Sequence, residues 1–477
     1  MKRKRTSSLK SSQRMVSDST STAPTTTTIS YLPDECWETI FNFIITGDDN
    51  NHSYFYPLNP SQQIKRKRTS LIKSSQKISS STYSHIPNYD HNSRNNHYLN
   101  SLSLVSKQFL SITSRLRFSY TFYDASRTFL CRIFERFTNL NSLNLSNYHC
   151  DLDKFLREIS TFPSLNITSL NISDQCNFPA YGLRAFAQNI TILTSLNCSN
   201  TFLGKGGLLL IANCFPLLKE LNLGHNDTSY INEFHYLLSK CRCIQHLDLN
   251  GIYFLNDLHV AELSLLLGDL VSINLSECRM LTESALFSLV RNCPSLREIK
   301  MERTNVGIGS VENFNFLTDF PPSPQLKSLC LALCQQLRDA NIILFATIFP
   351  NLQMLDLNSC NGISEGICYV LRKCCKIRHL NIADCTRVKL LGMNFVVPKL
   401  EVLNMSNTRV NDETLYVISK NCSGLLQLLL ELCNDVTEEG VKHVVENCTQ
   451  LKEIYLGDFH ISDKNRELFS RHGCLIC

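Results

Sequence analysis

One apolar pattern, L-x-x-L-x-L, recurs about every 26 residues from residue 140 to the end of the chain. Clear copies are LREIKM at 296–301, LQMLDL at 352–357 and LKEIYL at 451–456. Thirteen copies are marked by their first apolar residue: Leu140, Ile167, Leu193, Leu218, Ile244, Leu270, Leu296, Leu326, Leu352, Ile377, Leu400, Leu425 and Leu451. Such a steady period predicts that one structural unit is repeated through most of the chain.

Each copy predicts a short strand, a turn and a helix that returns the chain. The two leucines of L-x-L point to the same face because side chains alternate along a strand. A single unit cannot bury that face, so neighbouring units must stack and share one long core. The pattern therefore predicts an α/β solenoid in the shape of a horseshoe, with about 13 repeats.

The ninth position of the repeat carries a thiol or a small polar side chain. It is occupied by Cys278, Cys334, Cys360, Cys385 and Cys433, and by Thr201, Thr304 and Thr408. Such a side chain can lie inside the turn and bond the backbone. A helix start follows, as in LTESAL at 281–286, ISEGIC at 363–368 and VTEEGV at 436–441. We expect the Thr or Ser to cap each helix and the following Glu to favour its positive end.

These features resemble the cysteine-containing, plant-like subfamily of leucine-rich repeats. The shared pattern is L-x-x-L-x-L-x-x-C-x-x-[IL]-[ST]-[DE], with a restart such as CPSL at 293–296. The resemblance covers roughly seventy per cent of the chain, and we place the array at residues 123–477. It implies that the array binds a protein substrate, since such arrays are commonly the substrate-binding half of F-box proteins.

The composition favours a folded protein in a reducing compartment. Hydrophobic residues make up 43% of the chain, and the net charge of +5 does not by itself argue for nucleic acid binding. Most of the 22 cysteines fall at two repeat positions, which favours buried thiols over disulfides. The N-terminus lacks the apolar segment of a signal peptide, and no apolar run is long enough for a membrane span. We expect no membrane partner, no nucleic acid partner, and a location in the nucleus, the cytoplasm or both.

Residues 1–30 are basic and rich in Ser and Thr, which predicts disorder. The run Lys2-Arg3-Lys4-Arg5 is typical of a nuclear localisation signal. The sequence KRKRTSSLKSSQ at 2–13 recurs as KRKRTSLIKSSQ at 65–76, and an internal copy cannot serve as an N-terminal address. A solvated linker that no receptor recognises is the alternative interpretation.

Two further stretches predict amphipathic helices: YLPDECWETIFNFIIT at 31–46 and LSLVSKQFLSITSRLRF at 102–118. Together they resemble an F-box. The matching residues are Leu32, Pro33, Glu35, Ile40 and Phe41 in the first half, and Leu102, Val105, Ser106, Lys107 and Phe109 in the second. We assign residues 31–122 to an all-α F-box-like domain. Two unrelated helices that cap the solenoid are the alternative.

This chain departs from the F-box pattern because residues 47–99 separate the two halves. The segment is rich in Asn, Ser, Lys and His and has no sustained periodicity, so we predict a disordered insertion. The free-energy cost of closing a loop grows only with the logarithm of its length, so the two halves could still pair.

The F-box resemblance implies that the chain binds a Skp-family adaptor and, through it, a cullin–RING ubiquitin ligase. The expected adaptor contacts are Leu32, Pro33, Glu35, Ile40, Phe41, Leu104, Val105 and Phe109. The chain would then hold a protein substrate near a charged conjugating enzyme and contribute proximity without chemistry. A protein-binding scaffold with a non-functional F-box, and a small-molecule receptor like the auxin and jasmonate receptors, are the alternatives.

We find no residues that predict catalysis, a cofactor or a metal site. Phosphate-binding glycine loops are missing from the sequence. Cys241 with Cys243, and Cys374 with Cys375, fall at a recurring helix end and lack the paired spacing of a zinc site. The tail Cys474-Leu475-Ile476-Cys477 has the form of a prenylation motif, but Cys is unusual at its last position.

Substrate contacts are expected on the concave strands, at the variable positions of the repeat. The middle variable position is mostly Asn or Asp, which we interpret as a solvated face. Departures from that rule, and neighbouring basic or apolar residues, are the candidates. They are Arg297, Lys300, Lys327, Cys330, Met354, Arg378, Leu429 and Tyr455. The basic members could meet an acidic or phosphorylated segment.

Overall fold

The computed structural model describes residues 32–46, 98–162, 165–226, 230–309, 321–457 and 461–476. The predicted disordered tail, residues 1–30, and nearly all of the insertion at 47–99 lie outside these residues. The chain divides into two compact units, Met1–Leu116 and Arg117–Cys477. The array begins earlier than residue 123, because Ser119–Thr121 already forms a strand that pairs with Ser142–Asn144.

The described residues of the first unit are mainly helical. Helix α1 spans Asp34–Thr46, residues 98–103 are also helical, and α2 spans Lys107–Arg115. Pro33 precedes α1, where its missing N–H group costs nothing, and two acidic residues follow in the first turn. The Ser106 side chain caps α2 by accepting the backbone N–H of Phe109 at 3.1 Å. The buried core of this unit is Phe41, Leu99, Ile112 and Leu116.

An ion-pair network joins α1 to α2. The Arg115 guanidinium contacts Glu38 at 2.6 Å and Asp34 at 3.0 Å. The Gln108 amide also donates to Asp34 at 2.8 Å. Hydrogen bonds from Gln108 and then Arg115 hold the pKa of the Asp34 carboxyl below its ordinary value. The network therefore links two segments that the long insertion separates in sequence.

The described residues of the second unit contain one parallel sheet of 15 strands in sequence order. The strands are β1 Ser119–Thr121, β2 Ser142–Asn144, β3 Ser169–Asn171, β4 Ser195–Asn197, β5 Glu220–Asn222, β6 His246–Asp248, β7 Ser272–Asn274, β8 Glu298–Lys300, β9 Ser328–Cys330, β10 Met354–Asp356, β11 His379–Asn381, β12 Val402–Asn404, β13 Gln427–Leu429, β14 Glu453–Tyr455 and β15 Leu475–Ile476. The central residue of β2 to β14 is buried in the shared core, as the L-x-L pattern predicts. This architecture is consistent with the predicted solenoid.

Helices return the chain in most repeats. They are α3 Leu130–Arg136, α4 Leu152–Ser160, α5 Ala180–Asn189, α6 Gly204–Cys214, α7 Ile231–Lys240, α8 Asp257–Ser264, α9 Glu283–Asn292, α10 Asp339–Ile348, α11 Gly366–Lys373, α12 Asp412–Asn421, α13 Glu438–Asn447 and α14 Asp463–Arg471, with a 3₁₀ helix at Asp124–Phe129. Residues 382–401 contain no helix, contrary to the predicted repeat. This repeat has only 23 residues, whereas the repeats beginning at Leu352 and Leu400 have 25 and contain a helix, so fewer residues are left here for a helical return.

Backbone geometry after each strand explains the polar positions of the repeat. Asn or Asp at the strand end accepts the backbone N–H two residues later, as Asn144 does from Ser146 at 3.0 Å and Asn381 from Ala383 at 3.1 Å. The eighth repeat position then adopts positive φ, for example 61° at Asp174 and 58° at Asp384. The Asn and Asp column therefore fixes the turn, and our interpretation of it as merely solvated was incomplete.

Ninth-position thiols bond the preceding repeat, whereas the hydroxyls of Thr304 and Thr408 donate within their own turn, as predicted, to Met301 at 2.7 Å and Met405 at 2.6 Å. The thiol of Cys385 donates to the Leu357 carbonyl at 3.0 Å, and that of Cys360 donates to Leu331 at 3.2 Å. Burial raises the pKa of the Cys385 thiol to about 12. All cysteines that the structure places are free thiols.

Two of the three predicted helix caps form. Thr282 accepts the N–H of Ser284 at 3.2 Å, and Thr437 accepts that of Glu439 at 3.3 Å. Ser364 does not cap α11; its hydroxyl donates to Asp339 of the preceding repeat at 2.5 Å. Glu283 is buried and accepts the N–H of Gly307 at 2.8 Å. The acidic residue at the helix start therefore also joins neighbouring repeats.

Candidate functional site

The helical unit exposes apolar side chains at the positions that the F-box resemblance selects. Leu104 is 87% exposed and Val105 is also exposed, in the turn between residues 98–103 and α2. Leu32, Pro33, Glu35 and Ile40 are likewise exposed. Exposing several apolar side chains together to water is energetically unfavourable, and such a concentration is typical of a docking surface.

Phe41 and Phe109 do not belong to this surface. Phe41 is 1% exposed, and Phe109 is half-buried. Their rings meet edge to face with centroids 4.9 Å apart, and Phe109 also packs on Trp37 at 4.7 Å. The expectation that Phe41 presents a contact surface was wrong, because this large ring is needed to fill the core between α1 and α2.

Helix α1 is apolar on two faces. Trp37, Phe41 and Ile45 follow a four-residue spacing and pack toward the core. Ile40, Phe43 and Ile44 lie on the other face and are exposed, with Phe43 at 75%. The expected adaptor contacts did not include Phe43 and Ile44, although their spacing from Ile40 places them on the same face of the helix.

On the concave face the predicted substrate residues fall into two groups. Lys300 and Cys330 are in register on β8 and β9, and Asp356, which the sequence did not select, continues this row on β10. Leu429 and Tyr455 are in register on β13 and β14. Strands β11 and β12 separate the two groups, so the eight predicted residues do not form one contiguous patch.

The first group is built around Lys300. Its ammonium lies 3.3 Å from Glu298, and its side chain is 41% exposed. Burial lowers the pKa of Lys300, but Glu298 and the other acidic groups nearby outweigh it and leave a raised pKa. The cation is therefore charged and can meet an acidic ligand at neutral pH.

Cys330 and Met354 make a different contribution from the one predicted. Cys330 is only 3% exposed, so its thiol is not an accessible contact. Its sulfur lies 3.8 Å from the Met354 sulfur, which also accepts the Ser328 hydroxyl at 3.0 Å. Burial raises the pKa of the Cys330 thiol. Small side chains of β9 therefore form a floor beside Lys300.

Three basic candidates line the start of the strands. Arg297 is exposed. The Lys327 ammonium donates to the Pro324 carbonyl at 3.0 Å, and the Arg378 guanidinium pairs with Glu401 at 2.5 Å. Arg378 would have to release Glu401 before its guanidinium could bind an acidic group of a ligand.

The second group is amphipathic. Leu429 and Tyr455 are both half-buried, and the Tyr455 hydroxyl donates to Glu453 at 3.1 Å. Leu432, which the sequence prediction did not select, is exposed in the turn after Leu429. These side chains could receive an apolar residue of a protein ligand.

The structure also places desolvated acids beside the first group. Burial, and then the charge of Asp356, raise the pKa of Glu302. Burial likewise raises the pKa of Asp356, although its carboxylate accepts from the Asn381 amide at 3.1 Å. Burial lowers the pKa of His379 on β11. No sequence signal marked these residues, because Asp356 fits the polar column and Glu302 lies outside the strand.

A shallow depression of about 320 Å³ covers the concave surface of β4 to β8. Its lining includes Glu220, His246, Asp248, Asn274 and Lys300. Mixed charges and amide groups suit hydrogen bonding to a polar ligand. Within the residues described, no group of three or more metal-binding side chains converges.

The C-terminal motif is only partly described, because Cys477 is outside the described residues. Cys474 is buried, and the backbone N–H of Leu475 donates to Lys452 at 2.7 Å as β15 pairs with β14. Modification of Cys474 would require this end of the sheet to open. Among the helices in the described ranges, none has the length and apolarity needed to cross a bilayer.

No protein-family model matches the sequence. Among solved structures, the yeast Rad7–Elc1 complex is similar at 16% identity with a TM-score of 0.47, covering 73% of this chain and 85% of that one. A complex of TLR13 with ssRNA13 is similar at 16% identity with a TM-score of 0.48, covering 71% of this chain and 52% of that one.

Curated relatives include three proteins. BTB/POZ domain-containing protein FBL11 of Arabidopsis thaliana is 26% identical over 51% of this chain. DNA repair protein RAD7 of Saccharomyces cerevisiae is 23% identical over 45%, and F-box/LRR-repeat protein 4 of Bos taurus is 25% identical over 37%. The matches span only 25%, 39% and 29% of the lengths of these relatives. At this low identity, the chain is similar to proteins that include an F-box/leucine-rich-repeat protein.

Proposed function

We propose that this protein is the substrate-recognition subunit of a Skp–cullin–F-box ubiquitin ligase, with an array of the cysteine-containing, plant-like type. The helical unit docks a Skp-family adaptor, and the concave face of the array holds the protein to be ubiquitinated. The chain performs no chemistry, and its contribution is to bring substrate and conjugating enzyme together. We propose that it acts in the nucleus, the cytoplasm or both.

The observation that carries the proposal is the exposed apolar surface of the helical unit. Leu104 and Val105 lie in the turn that precedes α2, while Ile40 and Phe43 lie on the exposed face of α1. A free-standing pair of helices would gain stability by replacing these side chains with polar ones. A partner that covers them would explain why they are apolar.

Phe41 and Phe109 act within this proposal as supports. Their edge-to-face packing, together with the Arg115 network, holds α1 and α2 in one arrangement. A docking surface composed of two helices needs such a fixed arrangement, because disorder would raise the entropic cost of binding.

The concave residues support a protein substrate in the same way. Lys300 and Arg297 could pair with an acidic or phosphorylated segment, and Leu429 with Tyr455 could receive an apolar side chain. The two groups are far enough apart along the sheet that an extended segment would be needed to contact both.

Adaptor binding tests the proposal. The full chain, a chain without residues 47–98 and the double variant Leu32→Ala/Pro33→Ala are each incubated with a purified Skp-family adaptor, and the retained adaptor is quantified. We expect the full chain to bind and the double variant to lose at least tenfold in affinity. Leu104→Asp/Val105→Asp should lose as much. The matched control is Phe202→Asp, an exposed apolar residue of the array, which should leave adaptor binding unchanged.

The second candidate is a protein-binding scaffold whose F-box is inactive. The insertion at 47–99 favours it, because a segment of this length next to the docking surface could block the adaptor. Binding by the shortened chain alone would identify the insertion as an inhibitor. If neither chain binds the adaptor, the ligase proposal is wrong and the scaffold stands.

A further inference from the structure

The repeat without a helix creates a distinctive site on the outer side of the array. In neighbouring repeats, α10 packs on α11 and α12 packs on α13, whereas α11 and α12 do not pack closely. Only the turn-rich segment 386–399 lies between them. Packed helices are about 8–10 Å apart, so replacing one with a single layer of chain leaves a shallow slot about one helix wide.

Segment 386–399 is anchored on both sides. The thiol of Cys368 on α11 donates to the Lys389 carbonyl at 3.5 Å, and Arg372 donates to Asn394 at 2.7 Å. On the other side, the Asn421 amide of α12 donates to the Met393 carbonyl at 3.1 Å. The floor of the slot is therefore built into the fold.

The floor presents apolar side chains to water. Leu390, Met393 and Val397 point into the core and are buried, as the helix residues of other repeats would be. Between them, Leu391 is 48% exposed and Val396 is 70% exposed. The half-buried Phe395 ring lies 4.8 Å below the Arg372 guanidinium. Burial in the core explains why Leu390, Met393 and Val397 are apolar. It does not explain why the exposed residues Leu391 and Val396 are apolar too.

The surroundings are strongly basic. Residues 365–401 contain seven Lys and Arg residues and three acids, Glu365, Asp384 and Glu401, a formal charge of +4 (seven minus three). Lys389 pairs with Glu365, and Arg378 pairs with Glu401. Four exposed cations have no ion pair among the described residues: Lys373, Lys376, Arg387 and Lys399.

We propose that this outer slot is a docking site for an acidic amphipathic helix of a partner protein. The helix would take the place that the array leaves empty, with its apolar face on Leu391 and Val396 and its acidic residues near the four cations. The long segments of this chain outside the described residues carry KRKR runs and do not complement a basic site, and a second copy is also basic. The apolar floor favours a protein helix over a nucleic acid. The proposal is independent of the ligase function.

A labelled 18-residue peptide with Leu on one helical face and Glu on the other tests the proposal by fluorescence anisotropy with the full chain. We expect saturable binding that weakens as salt rises. Leu391→Asp/Val396→Asp should weaken it at least tenfold. Tyr181→Asp/Leu258→Asp, which alters two exposed apolar residues elsewhere on the array, should change it less than twofold. Circular dichroism establishes that each variant is folded.

A scrambled peptide of the same composition separates helix recognition from charge attraction. We expect it to bind at least tenfold more weakly. Equal binding of the scrambled peptide, equal losses in the two double variants, or no binding of the helical peptide would each overturn the proposal. Full competition by single-stranded RNA or anionic vesicles, without sensitivity to Leu391→Asp/Val396→Asp, would show a general polyanion surface instead.

Discussion

Single side chains at the ninth repeat position hold neighbouring turns together. Cys385 and Thr201 both donate to a carbonyl of the preceding repeat, at 3.0 Å to Leu357 and 3.3 Å to Ile172. A thiol and a hydroxyl can alternate here because either can donate a hydrogen bond to a buried backbone carbonyl. The sequence indicated a bond within the turn, and Thr201 makes that bond as well, to the Ser199 carbonyl at 3.2 Å. The bonds to the repeat before were not predicted.

Replacing Cys385 by Thr and by Val separates this bond from packing, because the two replacements have similar shape. We expect Cys385→Val to lower the free energy of unfolding by about 0.5–1.5 kcal/mol relative to Cys385→Thr, since Val removes one of the two hydrogen bonds to the Leu357 carbonyl and leaves that from the Cys360 N–H at 3.1 Å. Urea unfolding followed by circular dichroism measures the difference. Equal free energies of unfolding for the two variants would show that Cys385 stabilises the array through packing and not through its hydrogen bond.

Pairs of elements depend on contacts that cross long stretches of sequence. In the helical unit, α1 and α2 are held by Arg115, Asp34 and Glu38, and by the aromatic contacts of Trp37. In the array, repeats fit so closely that some positions tolerate no side chain. Substitutions at these contacts and at these close approaches therefore test how neighbouring elements pack.

Acid should weaken the pairing of α1 with α2. The pKa of Asp34 is lower in the folded state than its ordinary value of 3.8. Its stabilising contribution is therefore present above about pH 3.8 and is lost as pH falls through the lowered folded pKa. Trp37 is the one tryptophan of the chain, so its fluorescence reports this unit in the intact protein.

Asp34→Asn should reduce the acid-dependent change in Trp37 fluorescence, since Asn cannot titrate. The control is Glu35→Gln, which removes an exposed carboxylate from the same helical turn and should leave the change as it is. An unaltered acid transition in Asp34→Asn would contradict the role given to this network.

Gly424 marks the junction after the repeat without a helix. A Cβ atom there would lie 2.1 Å from the Pro398 carbonyl oxygen, which is backbone and cannot move away cheaply. We expect Gly424→Ala to lower the free energy of unfolding by about 1–3 kcal/mol. Gly392→Ala is the matched control because its nearest neighbour would be the Cys368 sulfur at 4.0 Å. Similar unfolding midpoints for the two variants would refute the close approach.

At the scale of the whole molecule, the repeat divides the cysteines into two reactivity classes. Burial raises the pKa of Cys198, Cys293 and Cys422 to about 12 from an ordinary 9.0. The difference of three units makes the thiolate fraction at pH 8 about a thousandfold smaller. Cys131 and Cys243 are exposed, so burial does not shield their thiols from reagents in solution.

Alkylation of the native chain at pH 8, followed by mass spectrometry, should therefore label Cys131 and Cys243 well before Cys198, Cys293 or Cys422. Because burial raises the pKa of these thiols in the folded state, their contribution to the free energy of unfolding is complete below about pH 9. That contribution falls as pH rises toward 12, because the thiols of the unfolded chain ionise first. Rapid labelling of Cys293 in the folded protein would show that the array is assembled differently.

The sequence by itself determined the solenoid, the register of its strands and the division into a helical unit and an array. It could do so because a repeated L-x-x-L-x-L pattern can bury its leucines only by stacking. It also identified the positions of Leu104 and Val105, since the F-box resemblance depends on local motifs. These features need no knowledge of distant neighbours.

Only the tertiary structure decided which apolar and charged groups face water. It buried Phe41 and Cys330, exposed Phe43, and separated Lys300 from Leu429 by several strands. It also showed that the shortest repeat lacks a helix and leaves Val396 uncovered. Burial depends on what packs against a residue, and that depends on segments far away in sequence, which a periodic pattern alone does not specify.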